Sequence, residues 1–396
     1  MTFVQDRQEY SVIDASLERV ELEHGAAVAA AAEHAADVDA KARFPQEAVD
    51  AMRAAGLLSA SLPRALGGRD ASITELAVVA RALGAACSSA AMVFAMHHTQ
   101  ALSLRFHADA GPIADLTRHI AETEALLASS TTEITTGGDT GSSTCAVVPD
   151  GDGVVLEKNA PVISYGAYAD YICTTARRSP DSLPTDQVLV VCPADDTQLT
   201  QTSQWDTLGF RGTCSPGFQL AARTASTNVV PVAYSSISAH TMLPASHTLW
   251  ASVWLGMADA AIDKARGQVR SAARRSGGAT TPQAAKFADL LVIHQRFESA
   301  VATEIARYEE FLASGEDEPT IGFAIAMNNL KLDTSIAVVD VVAGALAICG
   351  INGYREDHAA SLGRLLRDAY GPQVMVSNDR IRANNAQLVL AYRPGR

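Results

Sequence analysis

The groups in this chain that could do chemistry are a few histidines, a hydroxyl-rich turn and a charged, glycine-containing segment near the C-terminus. His247 follows Ser246 at the head of a long apolar segment containing Trp250. An imidazole with an ordinary pKa of ~6.5 can serve there as base or acid, and the same residue suits packing against the Trp250 helix. His97 and His98 are adjacent in the segment from Ser88 to Arg105. Neighbours on a helix point roughly 100° apart, so at most one of the two should face a cavity; the alternative is one core and one surface histidine. The run Thr132-Glu133-Ile134-Thr135-Thr136-Gly137-Gly138-Asp139 gathers hydroxyls, backbone N–H groups and small residues in one turn. From Gly350 to Arg380, a Gly-Ile-Asn-Gly turn leads into a helix carrying Arg364, Arg367 and Asp368 at helical spacing, as if one face met a charged partner. Gly350 and Gly353 suit a turn needing positive φ or close approach. Asp379 offers a carboxylate beyond that helix, or a local cap or ion pair with Arg380 or Arg382.

Three blocks position these groups. From about Leu17 to Asp109 the pattern is helical: an alanine-rich start, a helix opened by Phe44-Pro45, a loop at Gly67-Gly68, and a Ser72-x-x-Glu75 capping box before an apolar helix. From Ala128 to Ala239 short Thr/Val-rich runs alternate with turns. Cys145–Val148 and Val154–Lys158 flank a Pro-Asp-Gly-Asp-Gly loop and predict a hairpin; Tyr171–Thr175 and Gln187–Cys192 predict core strands. From His247 onward helical patterns return. The expected fold is α+β and multidomain: an N-terminal helical domain (1–127), a middle antiparallel β-domain (128–239) and a C-terminal four-helix-bundle domain (240–396).

Composition limits the function classes. The 396 residues are 48% hydrophobic and carry a formal charge of −13, which fits a globular protein and argues against a phosphate-binding nucleic-acid surface. Six scattered cysteines without a CxxC pair suggest reduced, buried thiols, and no metal set assembles at sensible spacing. The start MTFVQDRQEY has no basic segment leading into an apolar one, so no signal peptide is expected. Asp340 interrupts the best apolar run, so no membrane span is expected either. These features together suggest a cytoplasmic protein.

The motifs resemble the acyl-CoA dehydrogenase superfamily of flavoproteins, over about Phe44 to Leu390. Thr132–Asp139 resembles the family's Thr-Glu-x-x-x-Gly-Ser-Asp, with Gly138 in place of the serine. Val162-Ile163-Ser164-Tyr165-Gly166 resembles Trp-Ile-Thr-Asn-Gly, with Ser164 able to supply the hydroxyl that meets the flavin N5 edge and Val162 in place of the tryptophan. Trp205–Ser215 resembles Trp-x-x-x-Gly-x-Arg-x-Thr-x-Ser. Gly350–Tyr354 and Arg367-Asp368 resemble the family's C-terminal turn and Arg-Asp pair. The resemblance implies FAD as cofactor, held by Thr132, Gly138, Ile163, Ser164, Gly350, Asn352, Gly353 and Asn378, with Arg274 and Gln283 reaching the FAD of a neighbouring subunit. A homodimer or homotetramer follows from such shared sites.

The reaction is less directly implied. The family's catalytic glutamate falls at Val376, and its alternative position, placed by Gly256-Met257, falls at Ser246. Neither is a base, which leaves His247 and, more remotely, Asp379 as catalytic candidates. His97, His98, Ser246 and Val376 would line the substrate pocket. The leading expectation is Cα–Cβ oxidation of an acyl thioester, on CoA or an acyl carrier protein, with an electron-accepting flavoprotein as partner. The competing expectation is a monooxygenase of the same fold, using reduced flavin and O2; a flavin-free scaffold is the third.

Overall fold

The computed structural model describes residues 7–393 except 138, 278 and 279, with side chains from residue 24 onward. The chain begins with five helices: α1 (Arg7–Lys41), α2 (Gln46–Ala54), α3 (Ile73–Ala86), α4 (Ser88–His107) and α5 (Pro112–Glu122). The expected capping box is formed: the Ser72 hydroxyl accepts from Glu75 N–H while Glu75 accepts from Ser72 N–H, so two otherwise orphaned donors at the start of α3 are satisfied. α4 is buried on nearly every face, which explains why its sequence shows little amphipathic pattern.

Among the described residues seven strands follow. β1 (Leu127–Ser130), β4 (Tyr171–Arg177) and β5 (Gln187–Pro193) form one sheet in the order β1-β4-β5; β2 (Val148–Asp150), β3 (Gly153–Ala160), β7 (Phe218–Ala225) and β6 (Thr197–Gln201) form a second in the order β2-β3-β7-β6. The second sheet is antiparallel throughout, but β1 lies parallel to β4. That departs from the all-antiparallel expectation because the chain between β1 and β4 is long enough to leave the sheet, build β2 and β3, and return in the same direction. The predicted hairpin is present with a tighter turn: Val148 pairs Val155, Pro149 pairs Val154 and Asp150 pairs Gly153, so part of the expected loop is strand, and in the turn between them Gly151 has φ 66°, a conformation glycine adopts without steric penalty.

The remainder is helical: α6 (Tyr234–Ile237), a π-helical turn at Ser238–Met242, then α7 (Leu243–Arg275), α8 (Pro282–Ser314), α9 (Ile321–Cys349), α10 (Ile351–Tyr354), α11 (Gly363–Ala369), α12 (Gly371–Val374) and α13 (Asn378–Leu388). α7, α8 and α9 pack together as the long arms of a bundle, and the short helices α10–α13 run back along α9 in place of one continuous fourth arm. α3 packs against α7 and joins the bundle to the first block; Gly84 and Gly256 permit this, because a Cβ on either would collide with the facing backbone. Contrary to the sequence expectation, α9 is long and apolar enough to cross a membrane. Here it is the bundle's inner helix, against α7 and α8.

The Arg-Asp pair of α11 clasps all three blocks. Arg367 forms an ion pair with Asp39 on α1 and donates to Leu208 O at 3.1 Å. Asp368, fully buried, accepts from the Ser88 hydroxyl and from Phe210 N–H at 2.6 Å. Gly209 lies so close to the Arg367 carbonyl that no Cβ would fit. The conspicuous Trp205–Ser215 block and the Arg-Asp helix therefore recognise each other.

Candidate functional site

Two loops from different blocks meet beside the bundle. The first is the turn after β1. Glu133 organises it by accepting from the hydroxyls of Ser143 and Thr144 and from Thr144 N–H at 3.0 Å, while Lys158 approaches at 3.7 Å. This leaves Thr132 half-buried and Ile134 59% exposed on the outer side. Gly138 lies outside the described residues. The second loop connects α12 to α13. Arg380 at its end donates to Gly137 O at 2.5 Å, binding the loops together.

Ser164 stands on a nearby strained segment. Ser215 Oγ donates to Ser164 Oγ at 2.8 Å, leaving the Ser164 proton available on a half-buried hydroxyl. Tyr165, Phe210 and Cys214 all have φ between 42° and 49°, and Tyr165 N–H donates to Thr213 O at 2.8 Å. Three non-glycine residues in the left-handed region within one contact patch is the sort of strain that surrounding packing must hold in place. Ile163 is fully buried and anchors the segment, whereas Val162 is 41% exposed.

The bundle contributes a group the sequence reading did not single out. Lys331, in the middle of α9, is fully buried and donates to Val376 O and Asn378 Oδ1, each at 2.7 Å. It has no carboxylate partner among the described residues. Burial, with Arg382 nearby, pushes its pKa down to about 7. Asn378 is itself buried and exchanges hydrogen bonds with Ser335, so its side chain braces the amine rather than reaching a cofactor. Val376 sits at φ 48°, an outlying conformation for a β-branched residue. Its sequence surroundings, with Asn328, Asn329 and Asp333 close by, carry no signal that it is buried.

The histidines are placed differently from expectation. His97 and His98 are both fully buried, so neither is a surface residue. His97 bonds Leu58 O at 2.6 Å through Nε2 and accepts from Leu127 N–H at 3.0 Å; His98 bonds Leu57 O and the Ser61 hydroxyl, each at 2.9 Å. Both ring nitrogens of both residues are thus committed to fastening α4 to the segment after α2 and to β1. Burial lowers the His97 pKa to about 4 and that of His98 as well. They are corrected from pocket residues to anchors. His247, buried on α7, donates from Nδ1 to Met327 O at 3.0 Å, and burial pushes its pKa down to about 3. It remains neutral throughout the working pH range, too weak a base for the role first given to it. Ser246 Oγ donates to Leu243 O at 2.9 Å within the same helix. Asp379 is exposed at the first turn of α13 and pairs with Arg382 at 2.9 Å; its catalytic assignment is withdrawn for the local pairing.

The other expected cofactor residues lie at the opposite end of the bundle. Asn352 Nδ2 donates to Gln268 Oε1 at 3.3 Å, and Gln268 is 21 residues beyond His247 on α7, roughly 30 Å at helical rise. Gly350 has φ 57° and ends α9, while Gly353 packs so closely on Cys349 that a Cβ would clash. Arg274 and Gln283 are exposed at the α7–α8 turn, with Arg274 ~40 Å along α7 from His247. One chain therefore presents the expected cofactor residues as two separate groups.

A helical block, a two-sheet β-block and a helical bundle, with a candidate site where all three meet, define the class. Residues 24–109 match the family model for the acyl-CoA dehydrogenase N-terminal domain. The chain is 24% identical over 357 residues, 88% of each protein, to the probable acyl-CoA dehydrogenase FadE25 of Mycobacterium tuberculosis. Its fold matches butyryl-CoA dehydrogenase from Megasphaera elsdenii at TM-score 0.80 and 17% identity, covering 98% of this chain and 100% of that one. FMN-bound TdsC from Paenibacillus sp. A11-2 matches at TM-score 0.78 and 18% identity, over 94% and 98% of the chains. Its first block thus matches the acyl-CoA dehydrogenase N-terminal domain, and the whole chain is similar in sequence and fold to acyl-CoA dehydrogenases.

Proposed function

We propose that the protein is an FAD-dependent oxidoreductase that removes hydrogen across Cα–Cβ of an acyl thioester. The observation that carries this reading is the Arg380–Gly137 contact, which sets the β-domain turn against the loop held by Lys331. The exposed apolar side chains of Ile134 and Val162, together with the uncommitted Ser164 proton, fit the face and edge of a flat heteroaromatic ring. Thr132 and Ser164 would hold that ring, and a second copy of the chain would bring Arg274, Gln283 and the Gly350–Gly353 turn to its adenosine half, making the enzyme an oligomer. A flavin held by these residues would supply the hydride acceptor for Cβ.

The α-proton needs a base at neutral pH. Among the titratable groups at this junction, Lys331 has a pKa near 7 and His247 does not, and proton transfer is most efficient when the pKa lies near the working pH. Lys331 Nζ takes the α-proton once the 375–378 loop shifts to uncover it. An electron-transferring flavoprotein or O2 then restores the enzyme. Anaerobic addition of butyryl-pantetheine and butyryl-CoA to the FAD-loaded protein should bleach the flavin band. In Lys331→Met the flavin should stay bound while bleaching slows by about 100-fold, the lower range for loss of a general base. Bleaching at the wild-type rate in that variant would remove Lys331 from the mechanism.

The absence of a carboxylate at Val376 and Ser246 favours a second reading, oxygenation by reduced flavin and O2, which requires no α-proton base. A flavin indifferent to both thioesters, yet reoxidised quickly after chemical reduction with hydroxylation of an added substrate, would select it.

A further inference from the structure

A cavity of about 320 Å³ opens beside the site, between the β-block, the start of α7, α9 and α13. Its position ties it to the chemistry just described. Leu243 on its wall is one helical turn from His247, Phe323 is ~12 Å along α9 from Lys331, and Thr140 and Gly141 continue the turn that Arg380 fastens. The wall mixes hydroxyls from Thr185, Ser235 and Ser238 with the apolar side chains of Leu243, Phe323 and Leu388; no Asp, Glu, Lys or Arg lines it among the described residues. Gln187 also lines it. That residue is 2% exposed, and its Nε2 donates to Thr140 O at 3.0 Å, which fixes the orientation of the carboxamide. The other end, Oε1, is buried with no hydrogen-bond partner among the described residues. A buried carbonyl left unpaired is costly, and the occupant of a polar cavity is the natural source of its missing donor.

We propose that Gln187 Oε1 is the acceptor for an amide N–H of a pantetheine arm, and that the uncharged wall recognises this arm without using the phosphates of CoA. Pantetheine is neutral, carries two amide N–H groups and a hydroxyl along a flexible chain, and matches a wall of hydroxyls, one acceptor and apolar patches. No cationic side chain on that wall, among the described residues, pairs with the phosphates that distinguish CoA, and at the start of α9 the Phe323 N–H is already capped by the Thr320 hydroxyl. The assignment rests on the acyl-thioester reading and deepens it.

Calorimetric titration of the FAD-loaded enzyme with butyryl-pantetheine and butyryl-CoA tests both parts without requiring turnover. The two ligands should bind within about threefold of each other, with little dependence on salt. Butyryl-pantetheine methylated at one or the other amide nitrogen should bind wild-type protein about 5- to 10-fold more weakly at one of the two positions, the loss expected for one hydrogen bond. Gln187→Met should show the same loss with the unmethylated ligand and no further loss with the methylated one. Because the methylated ligands probe unaltered protein, the proposal remains testable if Gln187→Met folds poorly. Equal affinity of all three pantetheine ligands for wild-type protein overturns the role of Gln187. CoA binding more than tenfold tighter than pantetheine overturns recognition of the arm without the phosphates. Flavin bleaching by these thioesters in either case leaves the proposed reaction standing, whereas no binding and no bleaching sinks both.

Discussion

Among the described residues two lysines are buried, and their surroundings differ. Lys158, on β3, donates to Ser130 O at 3.0 Å, Thr175 O at 2.7 Å and Thr175 Oγ1 at 2.8 Å, with the Glu133 carboxylate at 3.7 Å. All three ammonium protons have acceptors and an opposite charge is close, so although burial lowers its pKa to about 8, the group is braced as a cation. Lys331 has two acceptors, neither of them charged, and Arg382 nearby adds repulsion. Lys158 has the surroundings of a structural pin between the two sheets. Those of Lys331 leave a base available at neutral pH.

Breaking Lys158 should destabilise the fold. In Lys158→Met the Glu133 carboxylate stays buried without its counter-charge, and the loss should be ~3–5 kcal/mol by denaturant unfolding. Adding Glu133→Gln should recover part of it; a double variant no more stable than Lys158→Met would show that the two groups do not act as a pair. In Lys331→Met the sign should reverse. The folded pKa of about 7 lies below the ordinary value near 10.5, so between those pH values the unfolded chain binds more protons and wild-type stability rises with pH. Below pH 7 the buried cation costs roughly 4–5 kcal/mol. Lys331→Met lacks that cost and should be more stable than wild type at pH 6, with the difference shrinking toward pH 10, while the proposed thioester oxidation fails. A variant equally destabilised at every pH would make Lys331 another structural pin.

This difference was hard to read from the chain because it is set by contacts distant in sequence. Element types were legible: the Ser72–Glu75 capping box, the strands at Tyr171 and Gln187 and the opening of α2 follow from local chemistry. The 350–380 segment could be matched in type. The work of Asp368 depends on Ser88 and Phe210, far away in sequence, and the parallel pairing of β1 with β4 is likewise non-local. The site was less legible. His97, His98 and His247 attract notice because imidazoles are versatile, yet burial and backbone partners make all three neutral fasteners. Lys331 drew none, because a single lysine in a helix is ordinarily exposed and nothing local marks this one as buried.

His247 sharpens the same contrast at intermediate size. Its folded pKa of about 3 is below the ordinary 6.5, so its contribution to stability is fully present above pH ~6.5 and is lost as pH falls toward 3. His247→Asn keeps a donor for Met327 O without a titrating ring. The variant should lose less stability than wild type between pH 6.5 and 4, while thioester-dependent bleaching at pH 7 changes less than tenfold. A hundredfold slower bleaching with the flavin retained would return the base to His247.

The smallest effect belongs to the residue that covers Lys331. Val376 occupies φ 48°, where a Cβ, and a branched one especially, strains against its own backbone by about 1–2 kcal/mol. Glycine removes that strain but makes the unfolded chain more flexible, offsetting up to ~1 kcal/mol. Val376→Gly should therefore change global stability by no more than about 1 kcal/mol, with stabilisation the favoured sign. Its carbonyl still accepts from Lys331, so the pH dependence assigned to the lysine should persist. If the strained loop holds the amine away from solvent, the glycine variant should let the backbone N–H groups of 375–378 exchange with solvent faster than in wild type. Unchanged exchange there, with stability raised by the full strain, would mean that the loop is held by Lys331 and Asn378 alone and that the valine contributes nothing to closing the site.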